Sequence, residues 1–201
     1  MNDAAQTQSA LPLHPLFLKL VGRPVLLVGG GPVAVGKLRG LLDAGAIVTV
    51  VAPQIHAEIA RAKVHLKERA FVAEDIDGAW LVIAAAPPEV NRAVLAAAEA
   101  RRIFVNAVDD RASATAYAGS VLRREGVTVA ISTAGQAPAL AGLLREGFEA
   151  LLPGDIGVWM RTAVEQRAKW LASRLAMGER RPALLKALND LYRGPPTAAL
   201  P

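Results

Sequence analysis

Two short stretches of this chain hold residue types whose spacing can do chemistry. The first is Gly29-Gly30-Gly31-Pro32-Val33-Ala34, a G-x-G-x-x-A run. Placed between a strand and a helix, Gly29 permits a tight turn and Gly31 lets the backbone approach a pyrophosphate. Ala34 lets the helix pack closely on the strand. The free amides and the positive dipole end at the helix start then hold phosphates. The ligand predicted is a dinucleotide; the plainer alternative is a glycine-rich turn that binds nothing. The second stretch is Asn106-Ala107-Val108-Asp109-Asp110. A carboxylate is ionised at neutral pH and can take a proton beside a nicotinamide. An aspartate after a strand is as readily a turn or cap residue. Extended neighbours point opposite ways, so at most one of Asp109 and Asp110 faces a crevice.

One expected partner of the glycine motif is missing. A carboxylate about twenty residues on normally holds the adenine ribose of NAD. That place reads Val50-Val51-Ala52-Pro53-Gln54. No arginine stands there either to meet a 2′-phosphate. Backbone groups around Pro53 and Gln54 must then bind the ribose. Other chemistries are poorly served. The chain has no cysteine, which excludes disulfides, thiolate zinc sites, iron–sulfur clusters and a Cys nucleophile. His14, His56 and His65 are scattered without a carboxylate grouping, so no metal site is expected. Ser132 and Thr133 end an apolar run before a glycine and read as turn hydroxyls, since no general-base histidine sits at a recognisable motif.

The elements that must position these residues follow from hydrophobic periodicity. Strands are predicted over 24–29, 46–52, 79–85 and 103–108, with an alternating, edge-like strand over 64–70. Helices are predicted over 33–42, 55–62 and 88–100. This alternation predicts an α/β fold with a Rossmann-like parallel sheet covered on both faces, and the ligand crevice outside the carboxyl ends of its strands. Beyond residue 112 the texture changes. Residues 115–133 read as two strands joined by a turn at Glu125-Gly126, and 138–151 as an apolar helix. Residues 155–193 read as helical, broken near Met177-Gly178 and at Pro182. The division expected is an NAD-binding Rossmann-like domain over 1–112, a small mixed α/β segment over 113–152, and a helical C-terminal part over 153–201. Residues 1–10 and 194–201 read as tails.

With 53% hydrophobic and 20% charged residues the chain is globular. Residues 1–112 hold 12 basic and 11 acidic side chains, leaving +1; residues 113–201 hold 11 and 7, leaving +4. No block of like charge and only 4% aromatic residues argue against nucleic acid. The 19 uncharged residues of Gly126–Leu144 contain Ser, Thr, Gly, Gln and Pro and read as strand, turn and helix, so no membrane span is expected. The N-terminus has an acid at Asp3 and no base before Lys19, unlike a signal peptide. A cytoplasmic protein is expected. An enzyme is weighed against a non-catalytic NAD-sensing Rossmann regulatory module, which would usually keep the ribose carboxylate.

The longer pattern resembles a known family. PLFLKLVGRPVLLVGGGPVAVGKLRGLLDAGAIVTVVAP, AWLVIAA with VNRAV, RRIFVNAVDD, VAISTAGQAPALAGLLRE and MGERR together resemble precorrin-2 dehydrogenase, the module of siroheme synthase that in some members is also a sirohydrochlorin ferrochelatase. The resemblance runs from about Leu11 to Arg193. It implies NAD contacts at the glycine turn (Gly29, Gly31, Pro32, Val33) and at Pro53 and Gln54. It implies a catalytic Asp109, and a tetrapyrrole cleft near Ser132 and Thr133. It further implies a homodimer built by residues 113–152, and precorrin-2 and sirohydrochlorin as ligands in siroheme or cobalamin biosynthesis, with Fe2+ as a second substrate and no resident metal. The loop Ala86-Pro87-Pro88 departs from the Thr-then-acids pattern common in the family. The methyltransferase half of the fused synthases is not in this sequence, so S-adenosylmethionine is not expected as a ligand.

Overall fold

A computed structural model describes residues 13–193, so the stretches read as tails, and residues 1–12 of the N-terminal stretch weighed as a leader, lie outside the described residues. The chain forms two compact units. The first runs to Ala118 and takes in Ala134–Gln136; the second comprises Gly119–Thr133 and the chain from Ala137 on.

The first unit is an α/β sheet. β1 (Pro24–Val28), β2 (Ile47–Val51), β3 (His65–Lys67), β4 (Leu81–Ala84) and β5 (Val105–Ala107) lie in the order β3-β2-β1-β4-β5. Every pairing is parallel. Parallel neighbours require crossover connections, and α1 (Pro32–Asp43), the short α2 (Ala57–Ala60) and α3 (Pro88–Glu99) supply three of them. Alternate residues of each strand enter opposite faces. Leu27, Val48 and Val50 pack with Ala34, Leu38 and Leu41 of α1. Leu26, Val28 and Val82 pack with Val94 and Ala98 of α3. Burial on both faces is why these strands read as unbroken apolar runs. β3 is the exception: all three of its residues are exposed, as befits an edge.

The edge is held by charge. Asp75, in a 3-10 turn at Ala73–Ile76, has a side chain only 1% exposed. It accepts from Arg69 at 2.6 and 2.7 Å, from Lys67 Nζ at 2.8 Å and from the Val72 amide at 3.0 Å.

The second unit begins with an antiparallel hairpin, β6 (Ser120–Arg124) and β7 (Val127–Ile131). Its two-residue turn, Glu125-Gly126, has φ of +47° and +84°, the double left-handed geometry that matches the twist of a hairpin. α4 (Pro138–Leu151) packs on the hairpin, and α5 (Ile156–Ser173) and α6 (Met177–Asp190) pack on each other. The break expected near Met177-Gly178 is found just ahead of them, and the one expected at Pro182 is absent. The former lies at Arg174, whose left-handed backbone (φ +54°) caps α5 and lets the Leu175 amide reach the Trp170 carbonyl at 3.0 Å. Met177 and Gly178 open α6, and Pro182 sits inside it, removing one backbone donor near the helix start without ending the helix. No helix among the described residues is long and apolar enough to cross a membrane.

Asp75 gives the fold a pH dependence. Arg69 above all, then Lys67 and the Val72 amide, hold its carboxyl well below the ordinary 3.8, against the opposing effect of burial. A depressed folded-state value means its contribution is complete above the unfolded value and is lost as pH falls toward the folded one. Asp75→Asn should therefore lower stability at neutral pH by about 2 kcal/mol. In urea titrations the gap between the two proteins should close as the pH drops below about 4.

Candidate functional site

All five parallel strands end on one edge, and the first turn at that edge is the glycine run. Strand order reverses on either side of β1, between β2 and β4, which makes the end of β1 the switch point where ligands bind in open α/β sheets. The chain leaves β1 through Gly29 at φ +120°, with its amide on the Val51 carbonyl at 2.9 Å. A Cβ on Gly29 would lie 2.2 Å from the Ala85 carbonyl oxygen. A Cβ on Gly30 would lie 2.0 Å from the Gln54 carbonyl oxygen and 3.0 Å from the Ala52 Cβ. The turn thus threads between the loops that follow β4 and β2. The Gly30 carbonyl accepts the His56 amide at 2.8 Å, and His56 caps α2 by accepting the Glu58 amide at 3.2 Å. Gly30, the unspecified middle position of the motif, is the position that sequence reasoning missed. Nothing in the motif marks it, because its constraint is a backbone from another loop.

Gly31 differs. Nothing lies within 4 Å of a Cβ built on it. It is the N-cap of α1, Pro32 follows at the first helical position, and no side chain caps the helix. No acidic residue stands in the first turn. Gly31, Pro32 and Val33 are exposed, while Ala34 is fully buried against the sheet. The uncapped amides at the start of a twelve-residue helix, with open space before Gly31, fit a dinucleotide pyrophosphate. Pro53 and Gln54 are exposed on the loop clasped to this turn, so the residues named for phosphate and for ribose are brought together.

Asp109 stands on the same edge, beyond β5. It is exposed, and its backbone is left-handed at φ +56°. The two aspartates are therefore not an extended pair: Val108 is tied to the Ala84 carbonyl at 2.8 Å, the chain turns at Asp109, and Asp110 caps the 3-10 turn Arg111–Ser113 by accepting the Ser113 amide at 3.2 Å. Aspartate is among the few residues that adopt a left-handed turn readily. Ser132 and Thr133 follow β7 in the second unit. The Thr133 hydroxyl accepts the Ala137 amide at 3.1 Å, just ahead of α4, and Ser132 is exposed. Among the described residues no three His, Asp or Glu side chains group as metal ligands.

The first unit matches a protein family described as "putative NAD(P)-binding" over residues 16–120. The chain is 44% identical over 172 residues to siroheme synthase 3 of Aeromonas hydrophila, covering 83% of this chain and 37% of that protein. It is 43% identical over 183 residues to siroheme synthase of Neisseria meningitidis serogroup C, covering 89% and 38%. The chain thus spans under two fifths of the length of these curated relatives. Its fold is that of the solved structure of SirC, precorrin-2 dehydrogenase, with a TM-score of 0.68 at 24% identity over 90% of this chain and 92% of that one.

The two glycines next to each other should fail in different ways. Gly30→Ala should destabilise the first unit by about 3 kcal/mol or more, since backbone opposes the new Cβ. Gly31→Asp should melt like the parent yet weaken NAD+ binding about 100-fold or more, measured by calorimetry. Equal melting losses in both variants would remove Gly31 from the site. Its glycine turn, its strand order and the match over residues 16–120 together show that the chain belongs to the NAD(P)-binding family.

Proposed function

We propose that the chain oxidises precorrin-2 to sirohydrochlorin, with NAD+ as the acceptor. The observation that carries the reading is the placement of Asp109, lifted by a left-handed turn on the same sheet edge as the glycine cradle. The choice of substrate is supported by the similarity to proteins named siroheme synthase and precorrin-2 dehydrogenase. The oxidation removes a hydride and a proton from the macrocycle. Bound NAD+ supplies the hydride acceptor. The chain's own residues orient and take the proton. Amides at Gly31, Val33 and Ala34 hold the pyrophosphate, the Pro53-Gln54 backbone holds the ribose, and an Asp109 carboxylate oxygen accepts the proton. Ser132 and Thr133 are assigned to tetrapyrrole contact; the Thr133 hydroxyl also accepts the Ala137 amide ahead of α4. The charge of +4 over residues 113–201 suits a polycarboxylate substrate.

Similarity to siroheme synthases also supports Fe2+ insertion into sirohydrochlorin as a second activity, with Fe2+ as substrate and Asp109 taking pyrrole protons. Residues 52–54 hold no cation for a 2′-phosphate, so NAD+ is favoured over NADP+. The cytoplasm is proposed as its compartment, in keeping with the relatives named siroheme synthase. A homodimer through residues 113–152 is supported by α4. Leu140, Leu143, Leu144, Phe148 and Leu151 form one exposed stripe on it, 42–78% accessible.

Three outcomes are expected. Asp109→Asn should lower turnover by roughly 10²–10⁴-fold with NAD+ affinity nearly intact, and Asp110→Asn should cost far less; a folded, fully active Asp109→Asn contradicts the reading. Turnover should be faster with NAD+ than with NADP+ at equal concentration. Light scattering should return twice the 21.1 kDa chain mass, and Leu144→Glu with Phe148→Glu should return the single mass.

A further inference from the structure

The loop that carries Asp109 leaves the sheet at β5 and returns to it. Val105 donates its amide to the Thr115 hydroxyl at 2.8 Å. The Val105 carbonyl accepts the amides of Thr115 and Ala116, both at 2.9 Å. One residue along, Asn106 Nδ2 donates to the Ala116 carbonyl at 3.0 Å. These bonds close a neck between residues 105–106 and 115–116. Within the loop, Val108 is anchored on Ala84 and Ser113 on Asp110, and Asp109 stands between the two anchors.

Asn106 is out of character for its position. It lies on a buried parallel strand, 9% exposed, and its Oδ1 has no hydrogen-bond partner among the described residues. An apolar residue of similar size would leave no orphan oxygen there. What the amide adds is the bond to Ala116. Thr115 has a matching role. Among the described residues β5 is the outer strand, with no further strand to pair its free side, and the Thr115 hydroxyl takes the Val105 amide there.

We propose that Asn106 and Thr115 are positioning residues for Asp109, clamping the neck of its loop so that the left-handed turn presents the carboxylate in one orientation. The inference rests on the reading of Asp109 as the proton acceptor. Neither residue need touch the substrate. Both act through the loop, so their loss should lower the rate of the chemical step and spare binding.

Thr115→Val keeps the shape and removes the acceptor; Asn106→Leu fills the space and removes the donor. In single-turnover oxidation of precorrin-2 with saturating NAD+, each should slow the reaction by roughly 10- to 100-fold. The NAD+ Kd and the KM for precorrin-2 should stay within about threefold, and Thr115→Ser should recover most of the rate. Added to Asp109→Asn, Thr115→Val should cause no further loss, because its effect runs through the carboxylate. Should Asn106→Leu or Thr115→Val not fold, Asn106→Asp, which swaps the donor for an acceptor at the same size, carries the test. Folded neck variants at full rate beside an inactive Asp109→Asn overturn the clamp alone, as does a loss that adds to that of Asp109→Asn. A fully active Asp109→Asn overturns the reading of Asp109, and the clamp with it.

Discussion

Two missing side chains set the geometry of the first unit. At Gly29 and Gly30 the main chain passes so close to the carbonyls of Ala85 and Gln54 that a methyl group at either position would collide with an oxygen. The close approach brings the loops after β1, β2 and β4 together at the switch point of the sheet. It also starts α1 with its amides uncapped and open toward solvent. A dinucleotide site needs those amides free, and it needs the ribose loop beside them. Both follow from one backbone crossing, so the phosphate and ribose contacts are not independent features of the chain.

The second constraint is the loop beyond β5. A parallel sheet ends its strands on one edge, but it does not dictate what the chain does next. Here the chain turns through a left-handed aspartate, caps a 3-10 turn with the next aspartate, and returns to hydrogen-bond the strand it left. The result is a carboxylate on a short, closed loop beside the cofactor edge. A rigid loop suits proton transfer, where misplacement by about 1 Å can cost on the order of a hundredfold in rate.

Much of this was legible in the residues. Strands buried on both faces are continuous apolar runs, and β1 and β4 are legible as such because nothing interrupts them, β2 with only Thr49 in its middle. The hairpin turn was legible from Glu125-Gly126, since a two-residue turn of this type needs positive φ twice. Constraints set by distant backbone were not legible. Gly30 occupies an unspecified motif position, and only the fold reveals the carbonyl behind it. Asp109 and Asp110 look like an extended pair in sequence, yet a single left-handed residue separates their roles. Proline usually ends a helix, so the sequence reads as broken at Pro182, yet the proline sits in the second turn of α6, where it removes one backbone donor and the helix continues. Asn106 belongs to the stretch singled out for its carboxylates, but the hydrogen bond of its own side chain to Ala116 is revealed only by the fold.

A dinucleotide fold with a poised carboxylate can serve catalysis or sensing, and turnover separates the two. The most direct measurement is NADH formation followed by ultraviolet absorbance when the purified chain is mixed anaerobically with NAD+ and precorrin-2. Catalysis predicts NADH in proportion to the precorrin-2 consumed, over many turnovers of the protein. Tight NAD+ binding with no NADH formed would contradict it and would leave a cofactor-sensing module in its place.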